Sequence, residues 1–394
     1  MRVDFVTKEY PPNIYGGAGV HITELVKVLR NRIDARVHAF GDPVAEVGTF
    51  GYRTPAELAG ANAALQTMGV DLMIADALSG ADLVHTHTWY ANFAGHIGSM
   101  LHGIPHIVTA HSLEPLRPWK REQLGGGYEL SSYIERTAYE AAAAVIAVSN
   151  GMRNDILRSY PNLDPDKVEV VYNGIDSNKW QPVRDPDTVR SLGVDPDRRS
   201  VIFVGRITRQ KGLPYFLRAA KELPADVQLV LCAGAPDTKE IQAEVENLVA
   251  ELAKTRTGVV WIPEHLPQPK LAALLTQADA FVCPSIYEPL GIVNLEAMAC
   301  GAAVIGTATG GIPEVVVEGK TGWLVPIEQV QDGSGAPIDE DRFVSDWANT
   351  LNQALASGKL EEFGAAGRVR AVEAFSWESI ATRTIEVYQK ALGR

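Results

Sequence analysis

The chain is poor in cysteine: its 394 residues include three, Cys232, Cys283 and Cys300. They form no CxxC pair and each lies in an apolar run. This excludes a disulfide framework and predicts three reduced core thiols. Long apolar runs are missing as well, since no stretch reaches the ~18 residues of a membrane span. Excess positive charge is also missing. The formal net charge of −12 argues against nucleic acid or an anionic membrane as partner, because either needs a basic face. A local basic pocket for a phosphate stays possible. The N-terminus, MRVDFVTKEY, enters a strand pattern with no charged leader and apolar h-region before it. A cytoplasmic protein is therefore expected.

Several familiar signatures fail on inspection. The run NIYGGAGVHITELVKVLR (13–30) follows a strand pattern and opens a helix, but Ile22 stands where GxGxxG has its third glycine. EGKTGW (318–323) is no P-loop, because Glu314 occupies the first glycine position. HTH at 85–87 has no HExxH pattern and no carboxylate companion, so no metal is expected. Asp-Pro-Asp recurs at 164–166, 185–187 and 195–197, where it reads as turn chemistry and not as a metal-binding pair.

What is present is a folded chain of two-domain size, 46% hydrophobic and 21% charged. Short apolar runs recur: VDFVT, ADLVHTH, HIVTA, AVIAVS and VEVVY in the first half, then SVIFVG, VQLVLCAG, GVVWIP, ADAFVCPS and AAVIG. They are nearly continuous in Val, Ile and Ala, as buried parallel strands are. Helical patterns such as ITELVKVLRNR, YIERTAYEAAAA and IQAEVENLVAELAK lie between them. Alternation of this kind predicts an α/β fold of two Rossmann-like, doubly wound domains facing across a cleft. The polar, Asp-Pro-rich stretch from Asp176 to Ser200 lacks a strand and marks the expected junction. The expected domains are 1–176 and 177–375, with an amphipathic helix over 376–394 crossing back to the first.

The stretch YEPLGIVNLEAMACG (287–301) carries the chemistry. A strand ends near Ser285, a turn with Pro289 and Gly291 follows, and a helix runs from about Ile292 to Gly301. The N–H groups around Gly291, Ile292 and Val293 are then unpaired and form a phosphate site. Glu296 lies about 7 Å along the axis at ~1.5 Å per residue, within reach of ribose hydroxyls. Glu288 sits in the turn, where a sugar would be. A solvated loop glutamate and a helix-stabilising glutamate near the positive end of the dipole are the plainer alternative. A retaining hydrolase is disfavoured, since its carboxylates face each other about 5 Å apart. In FVGRITRQKGLPYFLRAA (203–218), Arg206 ends a strand and Lys211 precedes a helix, two cations suited to a diphosphate. His111 ends the strand HIVTA and should reach a sugar. Arg117, Lys120 and Arg121 in EPLRPWKREQLGGGYE form a basic cluster, either an acceptor-phosphate clamp or a solvated loop.

Taken in order, these residues resemble the family-4 retaining glycosyltransferases of GT-B fold. The E-x7-E pair is Glu288 and Glu296. The glycine-rich turn, Thr109-x-His111, AVS (147–149), NGID (173–176), VGR…KG (204–212) and TGGIPEVV (309–316) match in sequence order across essentially the whole chain. TKEYPPNIYGGAGVHITELV and VHTHTWYANFAG resemble the actinobacterial-type glycogen synthases, also assigned as maltose-1-phosphate synthases. The lysine of the classical K-x-G-G motif is replaced by Ile14. The resemblance implies ADP-glucose as donor and an α-1,4 bond formed to a glucan end or to glucose 1-phosphate. It implies no metal or cofactor and is compatible with a homodimer. By resemblance, Arg206 and Lys211 bind the diphosphate, Glu296 the ribose, Glu288 and His111 the donor glucose, and Gly17 approaches the phosphates through its backbone. Another family-4 transferase, a sugar-nucleotide epimerase and a non-catalytic sugar-nucleotide-binding protein are the competing readings.

Overall fold

The computed structural model describes residues 1–42, 44–117, 121, 125–330 and 332–394. The chain divides into two compact units, Met1–Gly174 with Trp377–Arg394, and Ile175–Ser376. Among the described residues no helix is long and apolar enough to cross a membrane.

The first unit is built on a seven-stranded sheet: β1 (Arg2–Thr7), β2 (Asp34–Phe40), β3 (Thr49–Tyr52), β4 (Leu83–His87), β5 (His106–Ala110), β6 (Ala144–Ala147) and β7 (Val168–Val170). The spatial order is β3-β2-β1-β4-β5-β6-β7, and every pairing is parallel. The second unit holds β8 (Ser200–Arg206), β9 (Gln228–Gly234), β10 (Val259–Ile262), β11 (Ala280–Cys283), β12 (Ala303–Thr307) and β13 (Gly322–Val325). These run parallel in the order β10-β9-β8-β11-β12-β13. Both orders reverse beside the first strand of their sheet. In such folds ligands gather at that reversal, outside the carboxyl ends of the strands.

Strands β2, β3 and β13 lie outside the expected set. In β2 the apolar residues are interrupted by Asp34, Arg36 and His38, and β3 and β13 have four residues each. Charged interruption and short length both erase the continuous apolar signature. The chain crosses between the units at Gly174–Ile175, just upstream of the polar stretch expected to join them. That stretch belongs to the second unit. It forms a helix at Pro186–Ser191 with Asp185 accepting from Thr188 N at 3.0 Å, and it buries Val189 and Val194.

The terminal helix, Trp377–Ala391, buries Trp377, Ile380, Ala381, Thr384, Val387 and Tyr388, an i, i+3, i+4 stripe. Its stripe joins the core of Ile22, Leu25, Val37 and Leu83 in the first unit. The Tyr388 hydroxyl meets His85 Nδ1 at 2.7 Å. A Cβ at Gly174 would lie 2.5 Å from the Trp377 ring, so the chain passes that ring with no side chain. Cys283 and Cys300 are buried free thiols. Cys232 is half-buried, which corrects its expected place in the core.

Candidate active site

In the second unit, β8 and β11 are sheet neighbours, so the loops that leave them meet. After β8 the chain makes a single turn at Arg209–Lys211 and then takes φ +63° at Gly212. A Cβ there would stand 1.9 Å from the Pro284 carbonyl oxygen, so only glycine lets the two loops approach this closely. The approach seats Lys211 Nζ 2.6 Å from Glu288 Oε2. Ser285 Oγ donates to the same oxygen at 3.1 Å. Glu288 is 6% exposed. Burial works to lower the Lys211 ammonium, but the Glu288 carboxylate outweighs it and the pKa ends above the ordinary lysine value.

Behind Glu288, the TGG turn holds the backbone. Gly310 has φ +53°, and Gly311 N donates to the Glu288 carbonyl at 2.9 Å. Ahead of it, the helix Ile292–Ala299 starts from Gly291 at φ +91° with no side-chain cap. Its first-turn N–H groups, including those of Ile292 and Val293, have no carbonyl partner within the helix. Glu296 keeps part of its surface open, yet the surrounding protein pushes its carboxyl up to about 8, with Lys211 pulling it down. Arg206 is half-exposed and turns to Asp237, with which it forms a short ion pair. The field of Arg206 also reaches Lys211. The structure thus brings Arg206, Lys211, Glu288, the 291–293 helix start and Glu296 together at one sheet edge.

In the first unit, the Glu9 carboxylate accepts from Gly16 N at 2.7 Å and Tyr15 N at 3.1 Å. It holds the glycine turn, leaving Gly17 exposed at the helix start (Gly17–Leu29). His111 follows β5, and its Nε2 lies 3.0 Å from His87 Nδ1. The His21 ring meets it edge-on at 4.8 Å. Desolvation, and then His21 and His85, hold the His111 imidazole well below its ordinary pKa. That direction favours the uncharged imidazole as a hydrogen-bonding group. Among the described residues His21, His87 and His111 bring one ring nitrogen each within 4.8 Å of one another, the single group of metal-ligand type. Sequence spacing missed it, because His21 comes from a helix far upstream of HTH.

The basic cluster divides. Arg117 Nη1 donates to Ser112 Oγ at 2.9 Å and stands 3.6 Å from Glu114 Oε1, while its Nε is buried without a partner among the described residues. Arg121 pairs with Glu129 at 2.9 Å on the surface. Lys120 lies outside the described residues. Arg117 is set by a buried network that motif reading also missed. Ser131 Oγ donates to Glu114 Oε2 at 2.6 Å, and Glu114 N donates to Glu135 Oε1 at 2.8 Å. Tyr160 closes the network on Glu135. Burial, then the Glu114 charge, push Glu135 up to about 8. The periodicity of YIERTAYEA marks Glu135 as inward-facing, which was the available signal.

Residues 15–179 match the model for Glycosyltransferase Family 4, and residues 185–336 that for Glycosyl transferases group 1. The chain is 53% identical to the alpha-maltose-1-phosphate synthase of Mycolicibacterium smegmatis, over 99% of each chain. It is 34% identical to a D-inositol 3-phosphate glycosyltransferase of Mycobacterium sp., over 70% of this chain and 60% of that one. The sucrose-phosphate synthase of Thermosynechococcus elongatus shares the fold, with TM-score 0.78 at 23% identity over 100% and 99% of the chains. With the strand-end carboxylates, the paired lysine and the full-length identity in place, this chain belongs to the family-4 glycosyltransferases of GT-B fold and is a hexosyltransferase.

Proposed function

We propose that this enzyme moves glucose from ADP-glucose to glucose 1-phosphate, with retention, to give maltose 1-phosphate. The full-length match to an alpha-maltose-1-phosphate synthase carries the reading. The name of the second relative, a D-inositol 3-phosphate glycosyltransferase, also points to a phosphorylated acceptor.

The acceptor hydroxyl oxygen bonds to the anomeric carbon from the leaving-group face. The bond from that carbon to the diphosphate oxygen breaks, and the hydroxyl proton passes to the departing diphosphate. Such a leaving group needs charge neutralisation more than an acid. Arg206, Lys211 and the N–H groups at 291–293 are suited to supply it, preorganised at one sheet edge. They also do what a metal ion would otherwise do, so the reaction as proposed uses no metal and no cofactor. Glu296 takes the ribose, and the carboxylate of Glu288, steadied by Lys211 and Ser285, takes donor-sugar hydroxyls. His111 offers a neutral imidazole to the donor glucose, and Gly17 an open backbone.

Arg117, Lys120 and Arg121 are assigned to the acceptor phosphate. An Arg117/Lys120/Arg121 triple alanine variant should raise the KM for glucose 1-phosphate about tenfold or more, the effect of losing charge-assisted bonds to a phosphate. The KM for ADP-glucose should stay within about twofold. Steady-state kinetics with each substrate varied in turn reads both, and an unchanged acceptor KM rejects the assignment.

A further inference from the structure

We infer that Lys8 is a specificity-determining cation that, with Arg117, receives the phosphate of the acceptor. This rests on the phosphorylated-acceptor reading above.

Lys8 directly follows β1, at the carboxyl end of an inner strand of its sheet, beside β4. Its Nζ lies 3.9 Å from the centre of the Tyr90 ring. Among the described residues no carboxylate stands within ion-pair distance of it. Glu9, whose charge acts on Lys8, and Glu114, whose charge acts on Tyr90, have other work. Glu9 holds the glycine turn, and Glu114 is bonded to Ser131 and faces Arg117. Lys8 is half-buried, and a desolvated ammonium on an aromatic face retains donors that a fixed anion would satisfy.

Three further features meet at Tyr90. The residue sits in the first turn of the helix Trp89–His102. The preceding Thr88 has φ +67° and ψ 160° with no side-chain cap bond, a costly backbone for a β-branched residue. Arg117 follows β5, which pairs with β4 beside β1, so the chain segments of Lys8, Tyr90 and Arg117 all leave the same carboxyl end of the sheet, and the field of Arg117 reaches the Tyr90 hydroxyl. Arg117 brings a buried Nε–H without a partner among the described residues. One cation without a carboxylate and another with an unused donor fit a phosphate monoester, whose two charges and three free oxygens take both. The donor diphosphate carries the same chemistry, so the test separates the two sources.

The experiment measures kcat and KM for glucose 1-phosphate and for ADP-glucose in the wild type, Lys8→Met and Lys8→Arg. Inorganic phosphate serves as a competitive probe. Lys8→Met should raise the acceptor KM and the inhibition constant of phosphate by about tenfold or more. The donor KM should stay within about twofold, and Lys8→Arg should recover most of the loss. A rise confined to the donor KM would assign Lys8 to the diphosphate instead. Unchanged constants would make it a packing partner of Tyr90, and either result overturns the inference alone. A wild-type enzyme that ignores glucose 1-phosphate overturns the acceptor reading itself.

Discussion

Lys211→Ala is expected to lower turnover by about two to three orders of magnitude, the size seen when one preorganised transition-state donor is removed. Two effects combine. The leaving diphosphate loses a cation that the fold holds at one sheet edge with no reorganisation. Glu288, 6% exposed, also loses the ammonium at 2.6 Å and keeps only the Ser285 hydroxyl among its side-chain partners seen here. A carboxylate left this way costs about 1–3 kcal/mol of stability. Arg206→Ala should do less, because that guanidinium is half-exposed and already engaged by Asp237. Paired measurements of kcat and of urea unfolding separate the two effects. A turnover within tenfold of wild type would remove Lys211 from the chemistry.

Gly310→Ala, like Gly212→Ala, is expected to be strongly destabilising for a change of a single carbon. Gly310 has φ +53°, and a Cβ there would lie 2.0 Å from the Glu288 carbonyl oxygen. That oxygen is also the acceptor for Gly311 N, so the turn cannot move aside without releasing Glu288. The expected cost is about 3 kcal/mol or more, with activity lost in parallel. Gly319→Ala is the control. Its φ of +68° is equally left-handed, but nothing lies within 4 Å of the added carbon. It should cost about 1 kcal/mol, the backbone term alone. Equal costs for the two variants, measured by denaturant unfolding, would mean that the carbonyl contact is not what requires glycine at 310.

The functional edge of the second unit was legible because parallel strands send their carboxyl ends the same way. Arg206 and Glu288 each follow a continuous apolar run, and both runs end at that edge. Their placement needed only the strand assignment. The direct pairing of Lys211 with Glu288 was not legible, because it depends on Gly212 allowing a backbone approach that no local spacing encodes. The first unit was read less completely. The placement of Glu9, His21, His87 and Lys8 arises where β1, β4 and the helix after the glycine turn converge, and residues joined in that way carry no common motif. Charge spacing alone does not distinguish the cations: of the three after His111, Arg117 faces Ser112 and Glu114 and Arg121 faces Glu129, and Lys8 lies in a run with no basic cluster. Among the strands, those missed were the short or charge-interrupted ones, whose burial comes from neighbours in the sheet and not from their own composition.

The most direct measurement places ADP-glucose, glucose 1-phosphate and glycogen in one vessel with the enzyme and follows products by mass spectrometry. The expected result is a disaccharide monophosphate that accumulates far faster than the glucan is extended. Extension of the glucan with no disaccharide phosphate would contradict the account, and would return Lys8 and Arg117 to structural roles.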